Sequence, residues 1–258
     1  MTPALHQGVV TIGMRWIVLL LAVAQILAGR LHEILGWGRS IADRSAALDT
    51  VLTPAGYAFS IWGVIYLGCL LLAVHQARPS QQNRRDLDQL RPFLAGALLG
   101  NALWPIYVQG FGLGAISVIL IFATLASLLS GWYRWELAVR DESIGDDRMV
   151  RLPLSLFAGW VSAAAFVNLA ATSKYYQVSG GFGEVGLGCL LLVGCGVVAL
   201  TVCRQLAPAR PYAAAVLWAL VGILASGPPL WIGLTAALVG LAVLVASAAP
   251  ARGLERRS

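Results

Sequence analysis

The sequence predicts an all-α protein, a polytopic transmembrane helix bundle with about eight spans. Hydrophobic residues make up 59% of the 258 residues and charged residues only 12%, whereas soluble proteins usually carry about 25% charged residues. The charges stand in short clusters between long uncharged runs. This distribution is typical of a chain whose apolar runs cross hydrocarbon and whose charged clusters meet water.

Four apolar runs have the length of one crossing, which takes roughly 20 residues. They cover residues 13–30, 56–77, 152–173 and 185–203. Two further runs, 92–133 and 211–251, contain no charged side chain and are twice that length. Each of these two is therefore expected to cross, turn and cross back. Glycine and proline interrupt helices, so we place the turns at residues 109–112 and 227–229.

The first run has some features of a signal peptide, because a basic residue precedes an apolar segment. Its cleavage site is poor, so we count it as a span. Arg15 stands near its start and is expected to extend its side chain toward the lipid headgroups.

The basic residues indicate which side each loop occupies. With eight spans, 14 of the 18 Lys and Arg residues fall on the side that holds both termini. Because the side richer in Lys and Arg faces the cytoplasm, both termini are expected to be cytoplasmic. Residues 31–53 then form the longest outer loop. The net charge of +6 is interpreted as topology and attraction to anionic lipid, not as nucleic-acid binding.

The residues that usually carry enzymatic chemistry are scarce in the spans. We expect His75 and Glu184, near span ends, to be structural or interfacial, and residues 134–151 to form a solvated cytoplasmic loop. No nucleophile, metal or phosphate-binding motif occurs, so no catalytic or metal-ligating residue is predicted. The cysteines have no metal or redox spacing and are expected to be small buried side chains: Cys69, Cys189, Cys195 and Cys203.

Tryptophan and asparagine are the distinctive residues of the spans. Four tryptophans near predicted span ends fit an interfacial aromatic belt: Trp16, Trp132, Trp135 and Trp231. Five other residues lie deeper, and the predicted topology places them in the outer half of the bundle: Trp62, Asn101, Trp104, Trp160 and Asn168. Phe59, Trp62 and Tyr66 also share one helix face.

Two interpretations of these deeper residues stay open from the residues alone. Flat aromatic walls with a few amide groups suit a planar, largely apolar ligand. Alternatively, the side chains form a tightly packed core in which the two asparagines bond across helices.

Three blocks of these residues carry a resemblance to a known family. The first is residues 53–66, with Pro54, Trp62 and Tyr66 in register. The second is Asn101-Ala102-Leu103-Trp104-Pro105, and the third runs from Pro153 through Trp160 to Asn168. In this order the blocks resemble the TspO/MBR family, the tryptophan-rich sensory or translocator proteins. The outer loop has only Trp37 of that family's aromatic-rich lid.

The resemblance implies a five-helix TspO-like bundle over residues 1–176, followed by three additional transmembrane helices and a short cytoplasmic tail over 177–258. It implies a pocket for porphyrins, haem-like tetrapyrroles, sterols or synthetic ligands. The ligand-binding residues implied are Trp62, Tyr66, Asn101, Trp104, Trp160 and Asn168.

The function expected from this resemblance is that of a sensor or translocator for a tetrapyrrole or a similar planar hydrophobic molecule. A structural membrane subunit is the alternative, and an enzyme that modifies a porphyrin-like ligand ranks lower. No obligatory cofactor is expected, and haem or porphyrin would be a ligand. The expected partners are the lipid bilayer and a hydrophobic small molecule, with a homodimer left open. The expected location is the bacterial inner membrane.

Overall fold

The computed structural model describes residues 3–141, 147–206 and 209–248. Over these ranges the chain is helical, without β-strand, and two short 3-10 turns flank the fourth helix (Gly56–Ser60 and Pro79–Gln81). The α-helices of the described ranges are α1 (Pro3–Gly29), α2 (Leu31–Leu35), α3 (Ile41–Leu48), α4 (Ile61–Ala77), α5 (Arg85–Phe111), α6 (Ala115–Asp141), α7 (Arg148–Tyr175), α8 (Gly183–Gln205), α9 (Arg210–Ala225) and α10 (Leu230–Ala248).

The predicted class, an all-α transmembrane bundle, is confirmed. Within the described ranges, five helical segments are long and apolar enough to cross a membrane: Gly56–Ala77, Ala115–Arg140, Arg148–Tyr175, Gly183–Gln205 and Leu230–Ala248. Gly13–Gly29 and Arg210–Ala225 are shorter apolar helices. The helix α5 is long but begins with a charged turn that includes Asp86 and Asp88. The count of eight spans stays a prediction.

The eight long helices in the described part of the chain alternate in direction. Gln76, at the end of α4, donates to the backbone carbonyl of Arg15 (2.9 Å), whereas Gly29, at the end of α1, packs on Tyr66 near the start of α4. Equivalent contacts orient the later helices: Gly100 with Thr124, Asn168 with Ser117, Lys174 with Glu184, Gly222 with Ala55, and Gly188 with Ile232. The start of α1 and the end of α10 therefore lie at one end of the bundle, and α2 and α3 lie at the other.

Small residues let the helices approach closely. Gly96 and Gly100 of α5 face Ser127 and Thr124 of α6. This Gly-x-x-x-Gly pair thus packs within the chain, as small residues commonly do between membrane helices.

The end of the bundle opposite α2 and α3 differs from the prediction. We expected Trp132 and Trp135 in an aromatic belt, but both are fully buried, with 0% of their surface exposed. Their indole N–H groups donate to Glu136 Oε1 and Asp86 Oδ2, each over 3.0 Å, and Glu136 also forms an ion pair with Arg151. Exposed Trp16 and Trp231 do fit a belt position. Position along a span gives the depth of a residue but not whether its helix face meets lipid or a neighbouring helix, which is why the two pairs could not be separated.

The solvated loop expected at 134–151 is too long, because α6 continues to residue 141 and α7 begins at residue 148; residues 142–146 lie outside the described residues. Some of its charged side chains are paired: Glu136 with Arg151, and Asp147 with Arg84 and His75. Arg84 Nη1 and His75 Nε2 both bond Asp147 Oδ2, over 2.6 and 3.1 Å. Burial opposes ionisation of Asp147, but these hydrogen bonds and the charge attraction to His75 and Arg84 together outweigh burial and hold the pKa of the carboxyl below its ordinary value.

Arg15 is likewise buried, with 6% exposed, so it does not extend to the headgroups as expected. Among the cysteines, Cys69, Cys195 and Cys203 are buried and Cys189 is half-buried, and all four are free thiols.

Candidate ligand-binding site

Among the cavities at the end of the bundle that carries α2 and α3, three are each lined in part by Ile41, Phe59 and Trp104. The large cavity, of about 320 Å³, lies on the α1 side and has Arg30, His32 and Glu33 in its lining. The side chamber, of about 60 Å³, lies toward α7 and α9. The deep chamber, of about 40 Å³, reaches α6. Shared walls make the three cavities one candidate site.

The structure brings all six sequence-predicted residues to these cavities. Tyr66 lines the large cavity, and Asn168 lines the side chamber. Trp62 and Asn101 line the large cavity and the deep chamber. Trp104 lines all three, and Trp160 lines both chambers.

The aromatic wall is built where α4 packs against α7. The rings of Trp62 and Trp160 meet edge to face, with centroids 6.1 Å apart, and Phe59 meets Trp160 in the same manner at 6.3 Å. Tyr66 stacks on Trp62 at 5.3 Å, one turn further along α4. Edge-to-face and offset-stacked pairs are the geometries that aromatic quadrupoles favour. The wall is therefore held by its own ring contacts.

Two asparagines supply amide groups, and each is held by a neighbouring helix. Asn101 Nδ2 of α5 donates to Gln25 Oε1 of α1 over 2.8 Å. Asn168 Oδ1 of α7 accepts from Ser117 Oγ of α6 over 2.9 Å. Both amides therefore bond across helices, and both also line the cavities.

Three buried donors beside the chambers have no hydrogen-bond partner: Trp104 Nε1, Trp160 Nε1 and Asn168 Nδ2. An unsatisfied buried donor costs about 1–3 kcal/mol. A ligand atom that accepts a hydrogen bond would remove part of this penalty. The site therefore combines apolar aromatic walls with a few polar groups, as small-molecule sites usually do.

The segment of α2 and α3 covers the site and is held by Gln109. In the sequence this residue was expected only to form part of a turn. Its Nε2 donates to the carbonyl of Ala28 (2.9 Å), and its Oε1 accepts from His32 N (2.8 Å). Its backbone carbonyl accepts from Arg39 N and Arg44 Nη2, each over 3.0 Å. Its position as a glutamine inside an apolar run was the feature by which the sequence could have indicated this role. It fastens the α2–α3 segment across the mouth of the cavities.

Trp37 adds a further attachment of that segment. Its indole N–H donates to the carbonyl of Ile106 over 3.3 Å, and its ring packs against Gly110. Trp37 therefore attaches the α2–α3 segment to α5.

Fold and site together define an integral membrane protein whose helices enclose an aromatic cavity. The model of the family described as TSPO-like protein matches residues 14–249. The chain therefore belongs to the family of TSPO-like proteins, and the resemblance found in the sequence is confirmed. No curated protein and no solved structure matches it. The family match runs through α8, α9 and α10, and the division of the chain at residue 176 stays a prediction.

Proposed function

We propose that this TSPO-like membrane protein binds a tetrapyrrole, or a similarly planar hydrophobic molecule, in the three cavities beneath α2 and α3. The proposal includes a role as sensor or translocator of that molecule. The single observation that carries it is the convergence of Trp62, Trp104 and Trp160 on cavities in which two of their indole donors have no partner. A close-packed structural core would satisfy such donors.

The lining also suggests how such a ligand would lie. Aromatic faces of α4 and α5 suit a flat conjugated ring. Arg30 and His32 in the lining of the large cavity suit polar substituents. At about 320 Å³, the large cavity is near the lower bound of ligand sites, which span about 300–1,000 Å³. A tetrapyrrole would fill it and displace part of the α2–α3 cover.

A titration of the purified protein with tetrapyrroles and sterols tests the proposal. We expect protoporphyrin or haem to quench tryptophan fluorescence in a saturable manner, because three tryptophans line the site. A sterol that competes with the tetrapyrrole would widen the ligand class to apolar ring systems in general. Absence of saturable binding by every member of the panel would overturn the proposal.

Asn101→Leu separates a ligand contact from a purely structural role. We expect a several-fold loss of tetrapyrrole affinity, because Asn101 lines two of the cavities. We also expect a small loss of stability, since hydrogen bonds between membrane helices contribute about 0.6 kcal/mol on average and about 1.7 at most. Titration and thermal unfolding of the purified variant measure the two effects.

Gln25→Leu is the matched control for this substitution. It removes the same Asn101–Gln25 hydrogen bond from the α1 side, and Gln25 lines none of the three cavities. Gln25→Leu should lower the thermal midpoint to a similar extent and leave affinity unchanged. Equal affinity losses in both variants would show that Asn101 acts only through helix packing.

We also propose that the protein resides in a bacterial inner membrane and that both of its termini are cytoplasmic; the orientation is argued from the basic residues, which concentrate on the side of the termini. A reporter fused after Ser258 should be active only in the cytoplasm. The turn between α9 and α10 offers a second test. Because Gly227 has φ +73°, which strains any other residue, the labelling site is the adjacent exposed Ser226.

Ser226→Cys should react with an impermeant maleimide added to intact cells. Ser80→Cys is the control, because Ser80 is exposed in the turn after α4, at the opposite end of the bundle. It should react only after permeabilisation. The reverse pattern would invert the proposed orientation, and labelling of both in intact cells would contradict the odd number of crossings proposed between these two turns.

A further inference from the structure

We infer that α9 forms a wall of the ligand site and that Ala219 on this helix limits the size of the ligand group accepted by the side chamber. The resemblance assigned the site to the first five spans alone. The inference rests on the proposed function for the nature of the ligand, but the wall itself follows from contacts on α9.

The helix α9 holds the chain segment that carries Phe59 into the site. Gly222 O accepts from Ala55 N, and Trp218 Nε1 donates to Ala58 O, each over 2.9 Å. These two bonds hold the backbone just before Phe59. The position of this aromatic wall residue therefore depends on α9.

Close packing leaves no gap along these contacts. A Cβ atom at Gly222 would lie 2.7 Å from the Cβ of Ala58, which is shorter than real carbon contacts. On the neighbouring side, Gly159 of α7 faces the backbone of Tyr212, and Tyr212 OH donates to Ser162 Oγ over 2.9 Å. The helix is thus fitted against α7 and against the segment before α4 at the same time.

Along α9, Ala219 lies between Tyr212, which contacts α7, and Gly222, which contacts the segment before α4, and it faces the side chamber. It lines the side chamber with Pro54, Phe59 and Trp160. The chamber is only about 60 Å³, room for a small substituent. Because Phe59, Trp104 and Trp160 also line this small chamber, a larger side chain at 219 would occupy its space. The methyl group of Ala219 therefore sets how far a ligand substituent can enter.

Thiol labelling tests the wall without any tetrapyrrole. Ala219→Cys should react with methyl methanethiosulfonate, a reagent small enough for the chamber, and peptide mapping separates position 219 from the four native cysteines. Ala215→Cys is the control, because Ala215 is buried against Gly159 and lines none of the three cavities. It should stay unmodified. An unreactive Cys at 219, or equal labelling at both positions, would overturn the inference.

Ala219→Leu tests the size limit. Overpacking a fitted site should weaken tetrapyrrole binding by about tenfold or more, whereas Ala214→Leu, on the exposed face of α9, should bind as the native protein does. Thermal midpoints of the two variants check that both are folded. Native-like binding by folded Ala219→Leu would overturn the size limit and leave the proposed function standing. Failure of the native protein to bind would overturn the proposed function, and the labelling result would still decide whether α9 walls the chamber.

Discussion

Trp160→Leu is expected to weaken tetrapyrrole binding by several-fold to about tenfold, since an aromatic contact contributes about 0.5–1.5 kcal/mol beyond area burial and about 1.4 kcal/mol is a factor of ten. Trp160 lines both chambers and forms ring contacts with Phe59 and Trp62. The substitution also removes an unpartnered indole donor. Trp62→Leu should act in the same direction. Leucine keeps the helix apolar, so expression should change little.

The measurement should follow the absorbance of the tetrapyrrole, because the substitution itself removes part of the tryptophan fluorescence. Trp231→Leu is the control. Trp231 lies on α10 with 67% of its surface exposed and lines none of the cavities, so its loss should leave affinity unchanged. Equal losses at 160 and 231 would indicate nonspecific adsorption of the tetrapyrrole and would contradict the site.

Much of the fold could be predicted from apolar run length alone. A backbone in hydrocarbon must satisfy its own hydrogen bonds, so a long apolar run is necessarily helical. The predicted run 56–77 corresponds to Gly56–Ala77, and 185–203 lies within Gly183–Gln205. Glycine also marked where the α5–α6 pair turns, because Gly112 has φ +89°, a conformation that other residues rarely adopt.

The aromatic and amide residues of the site were visible for a related reason. An amide inside an apolar run needs a partner, so Asn101 and Asn168 indicated helix faces with polar neighbours. Gln25 and Gln109 carried the same signal, but without a recognised block around them they were not selected. Ala219 could not be found from sequence, because alanine in an apolar helix is common and only the packing of α9 shows what it faces.

The charged end of the bundle was the least predictable part. Charges near helix ends usually face water, and the sequence carries no mark of which helix faces meet. Glu136 of α6 and Arg151 of α7 are 2% and 6% exposed, so the pair is withdrawn from water.

Glu136→Ala is expected to lower the free energy of unfolding by about 3–5 kcal/mol, the usual effect of breaking a buried ion pair from one side. The substitution leaves the guanidinium of Arg151 without this carboxylate and removes the acceptor of Trp132 Nε1. Chemical unfolding in detergent micelles, followed by helical circular dichroism, measures the change. Glu184→Ala is the matched control, because its pair with Lys174 is partly exposed, at 44% and 38% of the two side chains. An exposed pair contributes about 0–1 kcal/mol.

A double variant distinguishes loss of the pair from loss of packing volume. Glu136→Leu with Arg151→Met replaces both charges with apolar side chains of similar size, and such replacements are often neutral or stabilising. We therefore expect the double variant to regain most of the stability lost in Glu136→Ala. The remaining deficit should reflect two losses. The indole of Trp132 has no acceptor in the double variant, and the Trp135 ring loses the Arg151 guanidinium, which lies 5.0 Å from its centroid in the native protein. If Glu136→Ala and Glu184→Ala lowered the free energy of unfolding equally little, water would have to reach Glu136. The burial of this ion pair would then be wrong.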